Sequence, residues 1–405
     1  PPADCRRQRQ MCIRDRDIDV VVEDTVACPR YTGVTLSGIE VKESPGWLKN
    51  KLNALGLRPI NNIVDITNYV LHETGQPLHA FDAKYITGNK VVVKKKPMNT
   101  LFTTLDEEER KLDANDLMIC NEESGMCIAG VFGGISSGVT ESTTDIFLES
   151  AYFDPTHIRK TSRRHMLQTD ASFRFERGAD PNITEYALKR AILLMQELAG
   201  GTVSSEIKDI YPKPIKKWAV EIALPEVDRL IGKSIERKTI KNILADLDIE
   251  LIEESEKTLR VLIPTFKVDV TRDVDVIEEI LRIYGYNNIG FSDKIYASVN
   301  LRPDPDLEKL QNLISDYLSS IGLTEIINNS LTRSAYIENS EMFSNKNSVY
   351  LLNPLSQDLD VMRQTLLFGG LEVVAYNLNR QMNNISFYEF GTVYQKKEKH
   401  NPEDP

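Results

Sequence analysis

The chain has 405 residues, 27% charged and 41% hydrophobic, an ordinary composition for a globular protein of roughly two to four domains. Its net charge of −11 argues against a protein that coats nucleic acid indiscriminately, and leaves room for a local basic site. No apolar run approaches the length of a membrane span, and the N-terminus carries no signal-peptide pattern.

The cysteines Cys5, Cys12, Cys28, Cys120 and Cys127 form no CxxC pair and no zinc-ligand spacing. They read as reduced thiols of a cytoplasmic protein. Residues 1–16, PPADCRRQRQMCIRDR, are Arg-rich and aperiodic. They read as a non-native stub and are set aside from fold reasoning. The far end, KKEKHNPEDP, is abrupt, so truncation at both ends is expected.

Three blocks follow in chain order. The first, 17–212, alternates helix and strand signals, as an α/β block does. Ser44-Pro45 opens an amphipathic helix carrying Trp47, Leu48, Leu52 and Leu55, closed by Gly56. Lys90–Lys96 reads as a strand. Asp145–Phe153 reads as a buried strand interrupted by Glu149. Asp180-Pro181 opens a helix that Gly200-Gly201 stops. YPKPIKKW is a linker. The second block, 218–291, has a short helix at Pro225–Ile231, stopped by Gly232. A helix with Ile240, Ile243, Leu244 and Leu247 on one face follows, then a strand at Thr258–Ile263. Ile277, Ile280, Leu281 and Tyr284 repeat the helical spacing. Short helices with a small β wing predict a winged-helix-like module. After a Pro-containing linker, the third block, 300–405, opens with a helix at Leu307–Ile321. Strands are expected at Thr324–Asn329, Val349–Leu352 and Phe387–Tyr394, with a helix at Leu366–Leu378. This predicts a truncated antiparallel α+β domain. The fold class is therefore an α+β multidomain chain.

Several residues invite chemistry. Glu149 must find hydrogen bonds or leave the core. His79, in GQPLHAFD, is a packing or capping residue, or a functional one. Arg159, Lys160, Arg163, Arg164 and His165 either meet phosphates or form a solvated helix face. The glycines of AGVFGG allow close backbone approach. On the helix of DVTRDVDVIEEILRIYGY, at about 100° per residue, Asp275, Glu278 and Glu279 share a face opposite the apolar set, and Asp269 lies just before it. Such a face is either solvated acid near a helix N-terminus or a site for a hard cation such as Mg2+. GxSxG, HExxH, Walker and GxGxxG motifs are absent.

The stretches GLRPINNIVDITNYVLHETGQPLHAFD, AGVFGGISSGV, FLESAYFDPTHIRKTSRRHMLQTDASFRFERGADPN, PTFKVDVTRDVDVIEEILRIYGY and NPLSQDLDVMRQTLLFGGL together resemble the beta subunit of bacterial phenylalanyl-tRNA synthetase. The likeness runs collinearly over about Asp17–Tyr394. It implies that the first block is an editing module that hydrolyses tyrosine mischarged onto tRNA(Phe). His79, Glu149, Thr169 and Ala171 fall on family editing positions, with Arg58, Asn68 and Gly133 beside them. Glu149 would take the tyrosine hydroxyl, while His79 and Thr169 position the ester and water. Asp269, Asp275, Glu278 and Glu279 fall on family magnesium positions, a structural site near the alpha subunit. The third block resembles a degenerate class II synthetase core. ATP is used by the holoenzyme, an (αβ)2 tetramer whose alpha subunit carries the charging site. The family's N-terminal OB-fold and C-terminal anticodon-binding regions have no counterpart here, and Phe266-Lys267 replaces an aromatic-arginine pair. The alternative reading is a stand-alone tRNA-editing or nucleic-acid-binding module.

Overall fold

The computed structural model describes residues 17–291 and 306–396; the readings made above for residues 1–16 and for the Pro-containing linker lie outside them. The chain divides into a unit of residues 1–292 and a unit of residues 293–405.

The first block runs β1 (Asp19–Val22), β2 (Arg30–Ile39), α1 (Gly46–Ala54), α2 (Asn62–Thr74), β3 (Leu78–Asp82), β4 (Lys90–Lys95), β5 (Leu101–Thr103) and β6 (Glu109–Lys111). It continues with β7 (Leu117–Cys120), β8 (Gly125–Ile128), β9 (Phe132–Gly133), β10 (Asp145–Tyr152), α3 (Pro155–His165), α4 (Asp170–Phe175), α5 (Thr184–Leu198), β11 (Gly200–Val203) and β12 (Lys208–Ile210). Two sheets form, in the orders β1-β4-β7-β8-β9 and β11-β2-β10-β3, with β12 also on β2.

Strand β10 explains the layering. Its even residues Ile146 and Leu148 join Leu48, Ile66, Leu188 and Met195 of the helices in one core. Its odd residues Phe147 and Ala151 join Tyr31, Phe81, Met118 and Ile128 in a second core on the other face. A strand buried on both faces reads as a continuous apolar run, and each large side chain so buried contributes about 1.5–3 kcal/mol.

Local caps set the helix ends. Asn61 accepts from the amides of Ile63 and Val64 to start α2, and Gly75 ends it at φ 77°. Ser44 does not cap α1. Its hydroxyl donates instead to the buried Asp65, at 2.6 Å. Helix α5 begins at Thr184 rather than Asp180, because Asp180 accepts from Thr265 at 2.5 Å. That bond ties the first block to the second.

The second block is β13 (Trp218–Ala223), α6 (Leu224–Ile231), α7 (Arg237–Asp246), β14 (Glu250–Glu254), β15 (Thr258–Ile263) and α8 (Asp273–Tyr284). An antiparallel sheet of order β13-β15-β14 packs its Ile222, Leu259 and Val261 against Ile240, Leu244, Ile277 and Ile280. Gly232 closes α6 at φ 79°.

The other unit holds α9 (Leu307–Ser320), β16 (Thr324–Glu325), β17 (Leu331–Thr332), α10 (Ser334–Glu338), β18 (Val361–Met362), α11 (Leu367–Leu378) and β19 (Phe387–Tyr388). The expected antiparallel sheet is not continuous among the described residues. β16 and β19 pair in parallel, β17 and β18 antiparallel, and Val349–Leu352 contributes one bridge, Tyr350 to Val361. The reason is a buried side chain. The Arg363 guanidinium donates to the carbonyls of Asn328, Asn329 and Thr392 and to Glu389. These carbonyls are satisfied by a cation and not by a strand ladder. The apolar face of α9, including Leu310, Leu313 and Tyr317, is exposed among the described residues.

Candidate active site

A cavity of 470 Å3 opens beside β3 and β10, and Asn68, His79, Gly133, Glu149, Thr169 and Ala171 all line it. The chain brings them from five elements. Glu149 pairs directly with His79 across β10 and β3, which puts both side chains on the same face of the sheet. Asn68 comes from α2, Gly133 from β9, and Thr169 and Ala171 from the start of α4. Ile60, Val64, Leu71, Leu105, Val131 and Phe132 supply apolar wall. Arg58 is exposed and does not line the cavity; it sits two residues before Ile60, which does.

Glu149 is 5% exposed. Burial raises its pKa to about 8, with a hydrogen bond from Tyr31 pulling the other way. The carboxyl is therefore mostly protonated near neutrality and both donates and accepts. His79 packs edge-on against Phe81 with ring centroids 4.4 Å apart. Burial pushes its pKa down to about 4, so its imidazole is neutral, with one acceptor nitrogen and one donor. Gly133 covers the ring: a Cβ there would lie 3.2 Å from His79 Cε1 and 2.8 Å from Leu105 Cδ1.

Thr169 is the N-cap of α4. Its hydroxyl accepts from the Ser172 amide at 3.1 Å and donates to the Val131 carbonyl at 2.8 Å. With the proton committed, Thr169 offers the cavity only a lone pair. The basic run of α3 divides. Arg164 and His165 both turn onto the buried Asp116, His165 Nε2 at 2.7 Å. Arg159, Lys160 and Arg163 stay exposed. Cys28, Cys120 and Cys127 are free and buried, and burial raises all three thiols, which makes them unreactive.

Residues 27–200 match the B3/4 domain family, residues 220–286 the tRNA synthetase B5 domain, and residues 296–405 the phenylalanyl tRNA synthetase beta chain CLM domain. The phenylalanine–tRNA ligase beta subunit of Bacteroides fragilis strain YCH46 is 57% identical over 391 residues, covering 96% of this chain and 48% of that protein. The chain belongs to the phenylalanine–tRNA ligase beta-subunit family. The Bacteroides thetaiotaomicron beta subunit is 56% identical, over 96% of this chain and 48% of its own length. The Porphyromonas gingivalis beta subunit is 50% identical, over 94% and 47% respectively. The chain thus spans about half the length of the curated relatives it matches.

The second set of residues that the family points to behaves differently. Asp275 accepts from the Thr271 and Arg272 amides and pairs with the Arg272 guanidinium at 2.7 Å. That pairing holds its carboxyl down to about 2. Glu279 is held below the usual range by Arg282 and Lys267, both in ion pairs with it. Asp269 and Glu278 are exposed. Among the described residues no three acidic, His or Cys side chains converge as metal ligands. As folded, this donor set does not fit a magnesium ion. In this chain two of the four expected ligands already have cationic partners, Asp275 in Arg272 and Glu279 in Lys267 and Arg282.

The sequence reading missed Tyr31, whose hydroxyl donates to Glu149 Oε2 at 2.9 Å. The two residues are 118 positions apart, and nothing local in RYTGV signals the contact. The capping role of Thr169 was not read either, since Ser172, three residues on, is not the Glu or Gln of the usual capping signature.

Proposed function

We propose that this cavity binds the aminoacyl end of mischarged Tyr-tRNA(Phe) and hydrolyses its ester. The observation that supports this most is Glu149. It is a buried carboxyl set among the apolar and uncharged polar side chains of the wall, directly across the sheet from a neutral histidine. A tyrosine ring would place its phenol against Glu149. A phenylalanine ring would leave that carboxyl desolvated and unpaired, which is the strong direction of hydroxyl selectivity.

Hydrolysis follows by orientation. Water attacks the ester carbonyl carbon, the bond to the ribose oxygen breaks, and that oxygen takes up the proton, releasing tyrosine and tRNA(Phe). The neutral His79 nitrogen holds the attacking water as acceptor. The Thr169 lone pair receives a hydrogen bond from water or from the substrate amine. Gly133 and Ala171 keep the floor open, Asn68 offers an amide on the α2 side, and Arg58 stands on the approach. No covalent enzyme intermediate is required.

On this reading residues 17–212 are the editing domain, 218–291 a winged-helix-like domain, and 300–405 a class II synthetase-like domain. The chain works in the cytoplasm beside an alpha subunit in an (αβ)2 assembly, which charges tRNA(Phe) with ATP. The family's Mg2+ enters no step here. The exposed apolar face of α9 supports a role in contacts with other protein surfaces.

The test is deacylation of Tyr-tRNA(Phe) by the purified chain. Glu149→Ala and His79→Ala should each slow it by about tenfold or more. Unchanged rates in both variants would overturn the assignment.

A further inference from the structure

The strand register creates a relation that no motif points to. Tyr31 sits on β2 two residues from Gly33, and Gly33 pairs with Glu149. Its ring is 0% exposed and does not line the cavity, whereas Glu149 does. The Tyr31 hydroxyl takes Glu149 Oε2, while Oε1 makes no protein hydrogen bond among the described residues. Burial and the neighbouring Glu149 push the Tyr31 hydroxyl well above its ordinary range, so it remains a donor at every working pH.

We infer that Tyr31 is the positioning residue of the pocket's specificity: by occupying one carboxyl oxygen of Glu149 from behind, it presents the other to the bound side chain. The inference rests on the editing reading above. The terminal torsion of a glutamate is broad and roughly two-fold. A carboxyl free to turn could satisfy itself within the protein and lose its demand for a polar ligand. With Tyr31 donating to Oε2, a protonated Glu149 carries its own proton on Oε1 and gives it to the ligand oxygen. An ionised Glu149 accepts at Oε1 instead. In both forms the atom facing the ligand needs a polar partner, which a phenol supplies and an unsubstituted ring does not. Gly33 leaves space on the same face for the Phe147 ring, whose Cζ would lie 2.2 Å from a Cβ at that position. The wall around the pair is therefore apolar and close-packed.

Tyr31→Phe removes one oxygen and keeps the ring. The quantities to measure are the ratio of Tyr-tRNA(Phe) to Phe-tRNA(Phe) deacylation and the pH midpoint of the Glu149 carboxyl itself, read from its carbon-13 signal in the chain without substrate. The ratio should fall about five- to tenfold, the size expected for one buried hydrogen bond. The midpoint should move upward, because the lost bond favoured the charged carboxylate. A purely structural tyrosine would lower the melting temperature and leave both readouts in place. Incorporation of 3-fluorotyrosine at position 31 preserves the packing and makes the hydroxyl a stronger donor, so the midpoint should move downward. An unchanged ratio in a folded Tyr31→Phe variant, or no shift with 3-fluorotyrosine, overturns the inference. If Glu149→Ala slows hydrolysis while Tyr31→Phe leaves the ratio intact, this inference alone fails. If Glu149→Ala hydrolyses as fast as the unaltered chain, the editing reading fails and takes this one with it.

Discussion

Two carboxylate regions of the first unit carry family-implied chemistry, and the fold treats them in opposite ways. On the cavity wall, Glu149 has no cation beside it among the described residues, and burial raises its pKa to about 8. On α8, Asp275 and Glu279 sit at the surface among Arg272, Lys267 and Arg282, and both are held below the ordinary carboxylate range. Asp116 gives the intermediate case. Burial alone would raise it, but bonds from His165, the Asp113 amide and Thr161 bring it below its ordinary value. What makes an acid available to a ligand is therefore not its presence in a motif. It is whether the protein has already supplied a partner.

Substitutions can break or sharpen this contrast. The largest effect is expected from Glu149→Gln on the alkaline side. A group raised from 4.5 to about 8 supports the native state fully below 4.5, and that support is lost as pH rises toward 8. The amide does not titrate. Chemical denaturation should show the two proteins diverging above pH 4.5, with the variant ahead by roughly 3 kcal/mol or more near pH 9. His79, held at about 4 against an ordinary 6.5, costs stability as pH falls through that interval, but it is common to both proteins and cancels.

Asp116→Asn should cost about 3 kcal/mol near neutrality, because it leaves His165 and Arg164 without their buried charge partner. Equal urea midpoints for this variant and the unaltered chain would show that the cluster is not held by charge. Gly133→Ala pushes a methyl toward His79 and Leu105 and should slow Tyr-tRNA(Phe) hydrolysis about tenfold with little change in melting temperature. A rate equal to that of the unaltered chain would show that the ester does not approach this wall. The smallest effect is expected from Asp275→Asn. Calorimetric titration of the chain with Mg2+ should give the same trace before and after the change, since Arg272 already holds that carboxyl. A binding isotherm that Asp275→Asn abolishes would return the helix to the metal reading.

Much of the fold was legible where an amphipathic period was long and a stop was sharp. Ile240, Ile243 and Leu244 on α7 are buried as spaced, and Gly232 closes α6. The buried apolar run of β10 was visible, as was the anomaly of Glu149 within it. What stayed hidden depends on distant side chains. Arg363 takes the carbonyls of Asn328 and Asn329 with its guanidinium, so the strand expected at Thr324–Asn329 ends early, at Glu325. Asp180 faces Thr265 and does not open a helix. At the site, the resemblance gathered six residues that also share one cavity, while Arg58 stands outside it. It gave Tyr31 no role at the site, and Tyr31 reaches Glu149 only because β2 and β10 are neighbours. On α8 the acidic residues were plain in the sequence, but their cationic partners became relevant only once Lys267 and Arg272 were placed beside them.

The central claim is that Glu149 selects a hydroxylated ring. The most direct measurement compares deacylation of Tyr-tRNA(Phe) and Phe-tRNA(Phe) by the unaltered chain and by Glu149→Leu, which keeps the volume and removes the polar atoms. The account predicts a strong preference for the tyrosyl ester in the unaltered chain and its loss or reversal in the variant. A tyrosyl preference that survives Glu149→Leu unchanged would contradict it.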